Sequence, residues 1–282
     1  MKISYTPEGP MVGDPQDLFP RAWLMLNELV SSKELIWRLF LRDFSSKYRQ
    51  SLLGIFWAVL MPLITVGFFV GMNRSGILTI EDVGIPYPLF AIIGLTIWNL
   101  FTIGLSACAN SIVGAGSMVV KINFPKVALI FAASVQGIVE FFIRAVLVAL
   151  TFIYFGVAPD WGGLLLGLAC LIPLYLIMVG AGFVFSLAVT VLRDIMNVLN
   201  LTLMGVMLLT PILYPIKGDT VFARANVWNP FYYLVNVPRD FIINGHTEFI
   251  TEFLWTTLFS IAVFLFGWNL FYLAQSKIAE RI

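Results

Sequence analysis

Residues 50–73 read QSLLGIFWAVLMPLITVGFFVGMN, a run without charge between Arg49 and Arg74. About 20 apolar residues in helical form cross the roughly 30 Å of a bilayer's hydrocarbon core. A run of this length and composition is therefore read as a spanning helix, Leu52–Met72. The chain around it keeps the same character. Of its 282 residues 60% are hydrophobic and only 12% charged, with a mean hydropathy of +0.92. A soluble domain cannot hide that much apolar surface from water, whereas a bilayer offers an apolar solvent for it.

Working outward, charge-free gaps give further spans near Pro88–Val113, Gly162–Leu192, Ile195–Tyr214 and Phe253–Leu273, and the apolar run Val127–Phe155, which contains Glu140 and Arg144, gives another. The expected fold is an all-α integral membrane protein with six transmembrane helices. Lys and Arg in the connections set its orientation. With the amino terminus cytoplasmic, twelve of the 17 basic residues fall inside and four outside, with Arg144 within the membrane. Both termini are then cytoplasmic. The first 22 residues are polar, hold Pro7, Pro10, Pro15 and Pro20, show no signal-peptide pattern, and are expected to form a mobile polar tail.

Segment 23–50 reads as an amphipathic interface helix preceding the permeation domain, 51–282. Trp37, Phe40, Leu41, Phe44 and Tyr48 recur at helical spacing, while Arg38, Arg42, Ser45 and Arg49 fall on another face. Cations so placed face lipid phosphates or an acidic partner surface. Between the fifth and sixth spans, Trp228, Phe231, Tyr232, Tyr233, Phe241 and Ile242 lie among Pro230, Pro238 and Gly245. Apolar pieces too short to cross suggest re-entrant outer helices; a folded loop lying on the membrane is the alternative.

Chemistry-bearing motifs are sparse. There is no phosphate-binding loop, no HExxH, no GxSxG and no paired cysteine motif. Cys108 and Cys170 read as small packing residues, and His246 is the single histidine. No enzyme, metal site, cofactor in this chain or nucleic-acid partner is expected. Glu140 and Arg144, four apart in the third span, can neutralise each other there. They are either a polar element beside a pathway or a pair that fixes helix packing. One face of the fifth span carries Asn197, Asn200, Met204, Met207, Pro211 and Tyr214, and the first span carries Trp57, Met61, Thr65, Phe68 and Met72. Amides, thioethers and rings of this kind suit a sugar: rings stack on its C–H faces and amides bond its hydroxyls. Ordinary helix packing is the competing explanation.

Arg38–Pro62, RLFLRDFSSKYRQSLLGIFWAVLMP, resembles the signature of polysaccharide-export permeases of the type-2 ABC exporter class, through Tyr48, Arg49, Gln50, Ser51, Leu53, Gly54, Trp57, Ala58 and Pro62. Lys121-Ile-Asn-Phe-Pro-Lys126 is similar to that family's coupling loop. Arg193-Asp194, Pro211–Pro215 and Asn229–Tyr232 resemble further family positions in the same order. The resemblance implies a homodimer in the cytoplasmic (inner) membrane, paired with two copies of a separate ATP-binding subunit that holds ATP and Mg. It implies export of a lipid-linked glycan such as O-antigen, capsule or teichoic acid. Under it, Lys121, Phe124, Pro125 and Lys126 couple to the ATPase, and Arg38, Arg42, Tyr48 and Arg49 frame the cytoplasmic entrance. Trp57, Met61, Phe68, Asn197, Asn200, Met204, Met207 and Tyr214 then line the substrate pathway. A type-2 exporter of a drug, lipid or other small amphiphile is the alternative.

Overall fold

The computed structural model describes residues 2–6, 9–13, 29–49, 54–75, 84–116, 118, 125–215 and 221–278. Within the polar first segment, β1 (Lys2–Thr6) and β2 (Gly9–Gly13) pair as an antiparallel ribbon, with Lys2 opposite Gly13. The remaining described elements are helices: α1 (Lys33–Arg49), α2 (Phe56–Arg74), α3 (Tyr87–Ala115), α4 (Val127–Phe155), α5 (Trp161–Ala169), α6 (Leu171–Val191), α7 (Ile195–Leu209), α8 (Val221–Asn226), α9 (Pro230–Asn244) and α10 (Ile250–Ile278). Among the described residues, five runs are long and apolar enough to cross a membrane: α2, α3, α4, α5 with α6 taken together, and α10. The chain is a multi-pass membrane protein.

Helix α3 is the axis of the bundle. It packs against α2, α4, α6, α7 and α9, and is buried on most of its circumference, which explains its unbroken apolar run. Helix α10 packs on α6, and α1 lies against α4. In hydrocarbon the apolar driving force between helices vanishes, so small residues that let backbones approach decide the contacts. At the α3–α4 crossing, a Cβ on Gly137 would sit 2.8 Å from the Leu100 carbonyl oxygen. At the α6–α10 crossing, a Cβ on Gly267 would sit 2.1 Å from the Gly180 carbonyl oxygen. Neither helix pair can approach so closely with any other residue.

Two expected spans look different in the fold. The run 162–192 is helical on both sides of Cys170, where α5 ends and α6 begins. Asp160 starts α5 by accepting from the Gly163 N–H at 2.6 Å. The fifth expected span is helical only from Ile195 to Leu209, where it ends ahead of Pro211. A residue before proline is pushed out of the helical region, and Thr210 is extended, with φ −86° and ψ 131°. The 15 residues of α7 rise only about 22 Å. Beyond them, the expected broken outer segment folds as α8 and α9. Asn229 starts α9 by accepting from the Phe231 N–H, with Pro230 in the first turn.

Candidate functional site: a polar cleft in the helical bundle

A cleft of about 700 Å³ opens between α1, α3, α4 and α7. Its polar wall is one face of α3, where Asn99, Thr102, Ser106 and Asn110 follow one another at steps of three or four. Gln136 of α4 joins them. The opposite wall is α7, with Met196, Asn200, Leu203, Met204 and Met207. Helix α1 closes one end with Phe40, Asp43, Phe44, Ser46 and Lys47. The hydroxyl of Ser106 reaches Asn200 Oδ1 at 3.3 Å, and that of Thr102 satisfies the Trp98 carbonyl at 3.3 Å. Asn99, Asn110 and Gln136 have no hydrogen-bond partner among the described residues. An amide without a partner is costly in an apolar medium, so these three require water or a polar ligand in the cleft.

The expected pathway residues divide between two places. Asn200, Met204 and Met207 line the cleft. Trp57, Met61 and Phe68 lie on the exposed side of α2, opposite Ala58, Pro62 and Val66, which are buried. Asn197 is exposed on α7 but outside the cleft, and Tyr214 turns back to donate to the Leu208 carbonyl at 2.6 Å. Sequence reading passed over the α3 stripe and Gln136. The signal of the stripe is the three-and-four spacing of 99, 102, 106 and 110 within a charge-free span, where no charge draws attention to it.

Glu140 and Arg144 do pair, with Arg144 Nη1 2.8 Å from Glu140 Oε2, and both are buried. The pair has two further members on α1. Lys47 Nζ and the Tyr48 hydroxyl both donate to Glu140 Oε1, the latter at 2.9 Å. Burial, and then the nearby Glu140 carboxylate, push the Tyr48 phenol well above its usual range, so it stays a donor. The cluster pins α1, one wall of the cleft, onto α4. Above it on α1, rings of Trp37, Phe40, Phe44 and Tyr48 follow at centroid spacings of 5.3, 5.4 and 5.0 Å. Of this row Phe40 is buried and Trp37 exposed. Arg38 pairs with Glu34 and Arg42 with Asp43, all at the surface. The Arg49 side chain lies outside the described residues.

At the other end of α7 the helix leaves unpaired carbonyls in a buried setting. Asn226 Nδ2 donates to the Leu209 carbonyl at 3.1 Å, and Asn229 Nδ2 to Thr210 Oγ1 at 2.9 Å. Arg239 Nη1 donates to the Ile212 carbonyl at 3.0 Å. Arg239 is itself 3% exposed, lies 3.6 Å above the Phe90 ring and also donates to Asn236. Helices α8 and α9 thus serve as a side-chain cap for α7.

Of the coupling residues, Lys121 and Phe124 lie outside the described residues. Pro125 precedes α4, and Lys126 Nζ donates to the Gln275 carbonyl near the end of α10 at 2.9 Å. Burial holds that ammonium below the usual lysine value. Arg193 and Asp194 are exposed at the turn between α6 and α7. Among the described residues, no group of three His, Cys, Asp or Glu could hold a metal ion.

Comparison with known proteins agrees with a transport role. Residues 34–243 match the family model described as ABC-2 type transporter. The chain is 26% identical over 197 residues to an O-antigen export system permease protein RfbA of Myxococcus xanthus, spanning 68% of this chain and 73% of that protein. It is 25% identical over 250 residues to a protein of the same name from Klebsiella pneumoniae, spanning 85% and 91%.

Proposed function

Because the chain belongs to the ABC-2 type transporter family, we propose that it is the membrane permease of an ATP-driven exporter that moves a lipid-linked polysaccharide across the cytoplasmic membrane. The observation that carries this reading is the cleft. Three amides without partners stand in spanning helices, facing thioether and aliphatic side chains. A sugar chain offers hydroxyls to the first set and C–H faces to the second. The likeness to permeases named for O-antigen export points to the same cargo. The rival cargo, a drug, lipid or other small amphiphile, offers fewer hydroxyls to Asn99, Asn110 and Gln136 and leaves more of them to water.

In this reading two copies form the transporter, and each crosses the membrane six times, with the short α7 as the fifth crossing. Both termini are cytoplasmic, as the distribution of Lys and Arg favours. The exposed faces of α2 (Trp57, Met61, Phe68) and α7 (Asn197, Met204) turn toward the second copy and extend the pathway. Helix α1 lies at the cytoplasmic interface, with Arg38, Arg42 and Arg49 toward lipid phosphates. Helices α8 and α9 are re-entrant and seal the outer end.

The chain carries no phosphate-binding loop, so the energy comes from a separate ATP-binding subunit, present twice, which holds ATP and Mg. Its motion reaches the permease through residues 121–126, with Phe124 and Pro125 shaping the contact. ATP shifts the permease pair by binding its partner more tightly in one state than in the other. Deleting the gene tests the proposal. Lipid-linked polymer should accumulate on the cytoplasmic side and disappear from the cell surface. Unchanged surface polymer would refute it.

A further inference from the structure

We infer that the pathway is selective for uncharged glycans and excludes polyanionic ones. The inference rests on the reading of the cleft as a glycan path and adds the class of glycan. It follows from where the charges are. Helices α3 and α7, which supply the long walls, contain no Asp, Glu, Lys or Arg anywhere along Tyr87–Ala115 and Ile195–Leu209. Away from α1, the polar groups that line the cleft are neutral: Asn99, Thr102, Ser106, Asn110, Ser111, Gln136 and Asn200.

The charged groups at the α1 end are already committed. Lys47 is bound to Glu140, whose other oxygen holds Arg144. Asp43 is bound to Arg42 at 2.7 Å. Lys47 is the one cation among the described lining residues, and its charge is offset by Glu140, so the cleft holds no surplus positive charge for a carboxylate or phosphate. The exposed face of α2, which the second copy would meet, adds no cation before Arg74 in its last turn.

A hydroxyl loses little on entering such a cleft, because each amide replaces the water it gives up. An anion gives up far more hydration than a hydroxyl does unless a cation stands beside it. Pores that pass anions therefore carry rings of Lys or Arg. A polymer charged at every repeat would meet this penalty at each step along α3. Neutral hexose and deoxyhexose polymers fit the lining; uronate, sialate or phosphodiester polymers do not.

The test uses the full chain, reconstituted in nanodiscs with Cys170→Ser, and a reporter cysteine at Thr102→Cys or, separately, at Ser111→Cys. The rate of maleimide labelling is measured with maltoheptaose or with heptagalacturonate, which match in length and differ in charge. Maltoheptaose should slow labelling by about fivefold or more, and heptagalacturonate should leave it unchanged. With Gln136→Lys added, heptagalacturonate should slow labelling as well. Equal or stronger protection by the acidic chain in the Gln136 protein overturns the selectivity. So does a Gln136→Lys protein that maltoheptaose protects and the acidic chain does not. If neither chain protects either reporter, the cleft is not a glycan path, and the reading beneath the inference falls with it.

Discussion

The Tyr48 hydroxyl donates to the Glu140 carboxylate at 2.9 Å, joining α1 to the middle of α4 across 92 positions of sequence. Lys47 and Arg144 bond the same carboxylate, so three donors converge on one buried acid. Removing that acid leaves Arg144 buried without its counterion. Loss of one partner from a buried pair costs about 3–5 kcal/mol. Glu140→Ala should therefore lower the thermal midpoint of the detergent-solubilised protein by many degrees. Lys47→Met should cost about 1 kcal/mol or less, since the Lys47 side chain is 40% exposed and solvent screens its pairing. Equal losses in the two proteins would contradict this ranking.

Replacing Asn99, Asn110 and Gln136 together by Leu should separate transport from stability. None of the three amides has a partner among the described residues, so folding loses no hydrogen bond with them. Export of polymer should fall by about tenfold or more, while the thermal midpoint holds or rises. A large fall in the midpoint would show that the amides are structural.

Gly267→Val should prevent a stable bundle, because its Cβ would meet the Gly180 carbonyl at 2.1 Å, and backbone cannot step aside. Overpacking of this kind costs about 1–3 kcal/mol or more. Gly67→Ala on α2 meets nothing within 4 Å and should be silent. The yield of monodisperse protein on size exclusion measures both.

Asn226→Ala should loosen the outer end of α7. It strips the donor from the Leu209 carbonyl and takes one acceptor from Asn229. An unsatisfied carbonyl costs about 1–3 kcal/mol when buried, and the lower end applies here because the bond from Asn226 to Leu209 is only partly buried. Hydrogen exchange at residues 206–213 should speed up, while exchange in α3 stays unchanged.

Much of the fold is legible in where charge is missing. The apolar run between Lys126 and Asp160, interrupted only by the self-neutralising Glu140 and Arg144, predicts Val127–Phe155, the limits α4 adopts, because an unpaired charge in hydrocarbon is costly enough to mark helix ends. The break at Cys170 leaves no such mark, since both sides of it are equally apolar. The early end of α7 was legible in Pro211, but a hydropathy run continues through it. The cleft was half visible. The α7 stripe stood out by its amides and methionines, whereas the role of Lys47 depends on a contact 93 positions away that no local pattern carries.

The most direct test of the central claim uses inverted membrane vesicles holding the permease, its ATP-binding partner and a lipid-linked neutral polymer on the outer face. ATP should drive the polymer into the lumen, where an added glycosidase cannot reach it. Omitting the partner, or changing Phe124 to Asp in the permease, should abolish that protection. Polymer that becomes protected at the full rate without ATP or without the partner would contradict the account.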